Sequence, residues 1–185
     1  MSGREVATFW LDMGAPIVLL PLVDSSAVCA REGSHARQAP PRPRYPPRMS
    51  DLTIRVGDLV FTADWEADAP RTRAALTPWL PIRDRLIHCK WSGESTWIPF
   101  GDKRPDVGFE NHNTHPAPGH LLIYTGDISE CEILFPYGAC SFSSRVGPLA
   151  GNHFATLTSG QDQLVEMGRR VLWEGAQEIE ISAGT

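Results

Sequence analysis

The 185-residue chain lacks several features that mark common functional classes. It has 17 Lys and Arg against 22 Asp and Glu, and this net charge of -5 gives no overall attraction to nucleic acid phosphates. No GxxxxGK[ST] or GxGxxG segment occurs, so no nucleotide cofactor is implied. The apolar run at residues 15–23 is far shorter than the roughly 20 residues that span a bilayer. We therefore expect no nucleic acid partner, no membrane span and no cofactor.

Cysteine is scarce, and its spacing does not suggest a disulfide or metal framework. The chain has four cysteines, namely Cys29, Cys89, Cys131 and Cys140, and none of them forms a CxxC pair. Each lies within or beside an apolar run, where a free thiol behaves as a small buried hydrophobe. This usage predicts a reducing, cytoplasmic location.

The chain changes character near Met49. Residues 1–48 carry six Arg and four carboxylates, a net charge of +2, whereas the rest carries eleven basic and eighteen acidic residues, a net charge of -7. Residues 39–48 read APPRPRYPPR, which favours extended polyproline II structure. We predict that residues 1–48 are a disordered Pro/Arg-rich extension or a mis-assigned start, and that residues 49–185 form one domain. A secretory signal is the alternative, although prolines interrupt its apolar run.

The pattern from residue 49 onward is mainly β, with eight strands and two helices in the order β-β-α-β-β-β-β-β-α-β. Strands are predicted at residues 52–56, 59–66, 84–91, 94–98, 120–125, 131–135, 152–158 and 177–182. One helix is predicted to begin at an Asp68 cap, and the other at a Ser159–Asp162 capping box. The second helix is predicted to bury one face, formed by Leu164, Val165, Gly168, Val171 and Leu172. Largely antiparallel strands in so short a chain bury their faces best as a closed eight-stranded barrel capped by the two helices.

Three segments of the chain carry a family resemblance. KWSGESTWIPF, GFENHNTHPAPGHLLIY and FPYGACSFSSRVGPLAGNHFATL resemble a bacterial family of cyclophilin-like proteins, domain of unknown function 3830, over about residues 50–183. The FHR-type strand, FMxQxGD segment and GTGG loop of true cyclophilins are missing, which argues against prolyl isomerisation. The chain is also similar to the catalytic domain of cucumopine synthase and to barrels of lactam- and urea-processing carboxylases. The resemblance implies small nitrogenous metabolites as substrates.

The loop at residues 101–119 carries the first candidate for catalysis. If Glu110 lies in a pocket with Trp91, Trp97 or Phe109, burial would raise its pKa and make it a general acid or base. The alternative is a loop carboxylate that caps backbone amides. His112 is the predicted partner of Glu110 in proton transfer.

A second group of residues is suited to holding a ligand. Trp91 and Trp97 can stack on a planar molecule, with burial in the core as the alternative. Asn111 and Asn152 can donate to a carboxylate or a developing oxyanion, and Arg145 can clamp a carboxylate with two hydrogen bonds. These roles require the two irregular segments to meet at one rim of the barrel. Tyr137, in the second segment, is predicted to orient the substrate beside the catalytic pair.

The remaining histidines suggest metal binding only weakly. His112, His115 and His120 follow an H-x2-H-x4-H spacing near Glu110, but prolines and a glycine interrupt it. We therefore predict no metal site. His153 lies in a predicted strand, where it contacts a ligand or is a satisfied core histidine.

These observations predict a small-molecule enzyme that performs acid/base chemistry on a cyclic or amide-containing nitrogenous metabolite. Ring opening, ring closure and isomerisation all need such proton transfer, so lyase, hydrolase and isomerase reactions stay open. The alternative is a non-catalytic ligand-binding or assembly subunit of a metabolic enzyme. A homo-oligomer is compatible with either function.

Overall fold

The computed structural model describes residues 49–184, so the extension predicted for residues 1–48 lies outside the described residues. The helices are α1 (Pro70–Leu76) and α2 (Leu164–Glu174), and single 3-10 turns occupy Thr77–Trp79 and Gln161–Gln163. The strands are β1 (Leu52–Val56), β2 (Leu59–Trp65), β3 (Ile82–His88), β4 (Gly93–Gly101), β5 (His112–Asn113), β6 (His120–Tyr124), β7 (Cys131–Cys140), β8 (Ser143–Ser144), β9 (Gly147–Pro148), β10 (Gly151–Ser159) and β11 (Gln177–Ala183).

Eight of the strands form a closed antiparallel barrel. Their order is β2-β1-β11-β3-β4-β7-β6-β10, and pairing of β10 with β2 closes the ring. The short β5 pairs with β10 outside the ring, and β8 and β9 form a separate hairpin. The predicted eight-stranded barrel with two helices is confirmed.

The first hairpin shows how the sequence produces the barrel wall. β1 and β2 alternate buried and exposed residues, so that Leu52, Ile54 and Phe61 point into the barrel and are fully buried. Gly57, with φ of 59°, makes the tight turn between them. Local alternation and turn chemistry therefore agree with the tertiary fold.

β7 is buried on both of its faces. Ile133 and Phe135 belong to the core inside the barrel, whereas Leu134 packs outside it against Phe142 and Leu149. The strand is covered on the outer side by the 142–149 segment, which contains the β8–β9 hairpin. The barrel therefore has a second, smaller apolar core on its outer surface.

α2 packs against the barrel through a different face from the one predicted. The prediction placed Leu164, Val165, Gly168, Val171 and Leu172 together, but Val165 and Leu172 are exposed. The buried positions follow i, i+3, i+4 and i+7 spacing: Leu164, Met167, Gly168 and Val171. Gly168 is required because a Cβ there would lie 2.4 Å from the ring of Tyr137.

Two further properties of residues 49–184 concern the cysteines and the helices. Cys89, Cys131 and Cys140 are all free thiols. Neither of the helices in this range is long and apolar enough to pass through a membrane.

Candidate functional site

A cavity of about 390 Å³ opens on the outer surface of the barrel, beside the second core. Its floor is formed by β4 and β7, which contribute Trp97 and Glu132. Three segments, at residues 87–92, 128–130 and 143–145, surround the opening. Three predicted ligand-binding residues, Trp91, Trp97 and Arg145, line this one cavity.

Strand pairing explains why Glu132 faces outward into the cavity. In the β4–β7 register Ile98 lies opposite Ile133, and both point into the barrel, so the next pair, Pro99 and Glu132, points outward. On the other side of β7, Glu132 lies opposite Tyr124, which belongs to the outer core. The carboxylate is thereby placed in an apolar wall.

Glu132 is the ionisable group most strongly affected by this cavity. Glu132 is only 7% exposed, and no described residue donates a hydrogen bond to its carboxylate. Burial, with a smaller contribution from the charge of Glu130, raises the pKa of Glu132 to about 8. Both protonation states are therefore accessible near neutral pH, as proton transfer requires.

The mouth of the cavity carries positive charge and exposed apolar surface. Lys90 and Arg145 form no ion pair with any residue in 49–184, and Lys90 Nζ lies 5.5 Å from the centre of the Trp91 ring. Trp91 is 55% exposed and Ile128 is 63% exposed. Within residues 49–184, the two cations at this opening therefore have no carboxylate partner, and Trp91 and Ile128 are largely exposed.

Glu110 does not line this cavity but binds the beginning of α1. The helix has no side-chain cap of its own, and the predicted cap by Asp68 is wrong. Glu110 Oε2 accepts hydrogen bonds from the Thr72 amide at 2.7 Å and the Thr72 hydroxyl at 2.8 Å. Its Oε1 accepts from the Arg71 amide at 3.3 Å and from Arg71 Nε at 3.0 Å. Glu110 is thus the missing cap, supplied from a distant segment.

These bonds reverse the expected pKa of Glu110. Burial by itself raises the pKa of this carboxyl, but the hydrogen bonds from Thr72 and Arg71 outweigh that effect and lower it to about 2. The expectation of a raised pKa beside Trp91 or Trp97 is therefore wrong. A catalytic role for Glu110 stays a prediction, and the geometry favours the capping role.

Asn152 and Asn111 fix the same loop to the barrel. The side chain of Asn152 is fully buried, accepts a hydrogen bond from the Glu110 amide, and donates to Thr72 Oγ1 and the Gly108 carbonyl. Asn111 Nδ2 donates to the His153 carbonyl at 2.8 Å. The loop and β10 do meet, as predicted, but both amides are engaged by the protein. Their roles toward a ligand stay predictions.

His153 belongs to a third cluster, with Glu66, Thr156 and His120. Its Nε2 lies 2.9 Å from Thr156 Oγ1, which donates to Glu66, and its ring stacks on His120 with centroids 4.1 Å apart. Burial, together with the neighbouring His120, lowers the pKa of His153. Burial also lowers the pKa of His120, so the environment favours the neutral form of both imidazoles. The place of His153 in ligand binding stays a prediction.

The other candidate residues lie apart from the cavity floor. His112 is exposed and packs edge-on against Phe109, and His115 Nδ1 contacts the Thr114 hydroxyl at 2.8 Å. Nowhere in the described part of the chain do three His, Cys, Asp or Glu side chains come close enough to hold a metal ion. Tyr137 does not line the cavity, but its Oη lies 2.9 Å from Nε2 of His88, which does, and its ring packs beside Gly168 of α2. Burial raises the pKa of Tyr137.

Comparison with known proteins places the chain in a family. Residues 52–183 match the family described as protein of unknown function DUF3830. The chain belongs to the DUF3830 family. No curated protein matches this sequence.

A solved structure shares the fold of this DUF3830 protein. It is described as McbB in complex with tryptophan, is 18% identical in sequence, and superposes with a TM-score of 0.57. The match covers 71% of the DUF3830 chain but only 44% of McbB, so the chain spans less than half the length of that protein. At this identity the likeness shows a common barrel fold.

Sequence reasoning missed most of the lining of the DUF3830 cavity, including its buried acid Glu132 and its cation Lys90. The signal for Glu132 was present in CEILFP, where one carboxylate interrupts an otherwise apolar strand. A strand that reads as continuously apolar is buried on both faces, so a carboxylate within it is buried as well. Lys90 precedes Trp91 in a short connection, where a single charge gives no local signal.

Proposed function

We propose that this DUF3830 protein is a small-molecule enzyme in which Glu132 transfers a proton to or from a ligand held in the outer cavity. One observation carries the proposal: a buried carboxyl without a hydrogen-bond partner among the described residues lies in the wall of a cavity of about 390 Å³. Such a carboxyl is costly to retain in an apolar wall. A proton-transfer role accounts for that cost.

The cavity has the size and lining of a small-molecule site. Its volume lies at the lower end of the range for such sites, roughly 300–1,000 Å³, and its lining combines two indole rings with many polar and charged side chains. The tryptophan complex of McbB supports a small-molecule ligand for a barrel of this kind. A cyclic or amide-containing nitrogenous metabolite fits the proposed chemistry, because proton transfer at nitrogen or beside a carbonyl opens, closes or isomerises such molecules.

The test is turnover by the full-length protein and its Glu132→Gln variant on a panel of cyclic amides and lactams. Gln keeps the shape of the side chain but cannot transfer the proton, so we expect kcat to fall by roughly 10²–10⁴-fold with little change in ligand affinity. The wild-type pH profile should show an inflection near pH 8, the pKa of Glu132.

Glu178→Gln is the matched control, because Glu178 is an exposed carboxylate on β11, outside the outer cavity. Its activity should equal that of the wild type. If Glu132→Gln retains full turnover, the proposed role of Glu132 is wrong. If the wild type binds ligands but converts none of the panel, the alternative of a non-catalytic binding subunit is favoured.

A further inference from the structure

We infer that the outer cavity binds a planar molecule with a single carboxylate, whose ring packs against Trp91 and Trp97 and whose carboxylate binds Arg145 and Lys90. The inference rests on the proposed function for the choice of cavity, but it concerns binding and does not require catalysis. It assigns a ligand class from three independent properties of the site: its charge, its exposed apolar surface and the position of its buried acid.

Charge is the first property. Six Lys and Arg side chains form no ion pair within the described residues, and Arg145 and Lys90 are the two of these six that line the cavity. Both lie at the cavity, on segments that are far apart in sequence. The planar guanidinium of Arg145 matches a carboxylate with two parallel hydrogen bonds, and the Lys90 ammonium adds a point charge.

The number of carboxylates follows from the charges around the opening. Besides the two cations, the exposed Glu130 lines the cavity, so the mouth has one net positive charge. One ligand carboxylate balances this charge, whereas a second would be left unpaired. The charges of Lys90, Arg145 and Glu130 therefore favour a ligand with a single negative charge.

Exposed apolar surface is the second property. Trp91 and Ile128 stand at the opening and are each more than half exposed, while Trp97 is half-buried on the floor. Single exposed apolar residues are common, but several around one cavity mark a binding surface. Two indole rings in a small cavity favour a flat, aromatic partner that buries them.

The position of the buried acid is the third property. Glu132 is 7% exposed on β7, whereas Lys90 and Arg145 are exposed residues on two other segments of the lining, so the acid lies deeper in the cavity than the cations. Tyr124 pairs with Glu132 across the neighbouring strand, and Cys89 and Glu130 are its titratable neighbours, of which Glu130 acts on it as a charge. Below pH 8 Glu132 is mostly protonated and does not repel an anion. The cavity therefore has a cationic mouth and a neutral, hydrogen-bonding inner wall.

Binding of two matched probes tests the inference. Indole-3-acetate and indole-3-acetamide have the same ring and nearly the same shape, but only the first carries a carboxylate. Using isothermal titration calorimetry on the full-length protein at pH 7, we expect indole-3-acetate to bind at least about tenfold more tightly than the amide. Arg145→Gln should remove about tenfold of the acetate affinity and leave the amide affinity unchanged. Trp91→Ala should weaken both probes.

Arg85→Gln is the control, because Arg85 is an exposed arginine on β3 that does not line this cavity. It should bind both probes as the wild type does, and thermal unfolding should show that each variant is folded. Equal affinities for the two probes, or binding of neither at millimolar concentration, would overturn the inference. The turnover of Glu132→Gln tests only the catalytic proposal, whereas binding of the two probes to the wild type, Arg145→Gln and Trp91→Ala tests only this inference, so the two can fail separately.

Discussion

Replacement of Glu132 by Gln should change how the stability of the protein depends on pH. The pKa of Glu132 is about 8 in the folded chain and 4.5 when the group is not perturbed. A carboxyl that binds its proton more tightly in the folded state contributes stability that is fully present below the unfolded pKa. That contribution is lost as the pH rises through the folded pKa.

The size of this effect follows from the two pKa values. Each pH unit between them corresponds to about 1.4 kcal/mol, so the interval from 4.5 to about 8 corresponds to about 5 kcal/mol of unfolding free energy. The residue is 7% exposed, so solvent does little to screen the effect. Gln has no charge to bury at any pH. The unfolding free energy of the variant, relative to that of the wild type, should therefore increase by about 5 kcal/mol between pH 4.5 and pH 9.

Urea denaturation at a series of pH values measures this difference directly. The unfolding free energy of Glu132→Gln minus that of the wild type should rise by about 1.4 kcal/mol per pH unit between pH 5 and pH 8 and then level off. Glu178→Gln, an exposed replacement, should show no such slope. A flat difference, or a Glu132 carboxyl carbon that titrates near 4.5 by NMR, would refute the reasoning.

Two other substitutions test the cap of α1 and the packing of α2. Glu110→Ala removes the acceptor for the Arg71 and Thr72 amides and should cost about 1–2 kcal/mol by urea denaturation at pH 7. In the wild type this contribution is present above pH 4.5 and is lost as the pH falls toward about 2, so unchanged acid unfolding in the variant would contradict the capping role. Gly168→Ala should lower the melting temperature, because the new Cβ would lie 2.4 Å from the Tyr137 ring. This clash outweighs the roughly 1 kcal/mol that alanine adds to a helix, and a stabilised variant would contradict it.

The wall of the barrel was predictable wherever alternation and turn chemistry coincide. β1 and β2 have the predicted limits to within one residue, because Leu52 to Phe61 alternate and Gly57 makes the turn. β7 extends to Cys140, five residues beyond the prediction, even though it contains Pro136. That proline is tolerated because it lies opposite Ser95, where the β4–β7 register shifts. Such an irregularity depends on the partner strand and has no local signal.

The candidate site was only partly predictable for the same reason. Trp91, Trp97 and Arg145 were proposed as ligand-binding residues from their side-chain chemistry, with core burial as the alternative for the tryptophans, and all three line the cavity. The two glutamates depend on their surroundings. Glu110 accepts hydrogen bonds from four donors of α1, whereas Glu132 accepts none from the described residues. The sequence nevertheless favoured Glu110 as the catalytic residue, because it lies in a long irregular loop. Which carboxylate is buried without partners is decided by strands and loops far away in sequence.

The borrowed cap of α1 has a consequence for the order in which the protein assembles. A seven-residue helix is too short to persist alone, and the group that binds its first amides arrives 38 residues later in the chain. We therefore expect α1 to become stably helical only after the 108–111 segment has docked on β10. The Arg71 and Thr72 amide protons should therefore exchange with solvent whenever the 108–111 segment detaches from β10. Their exchange rates would then measure how often that loop detaches.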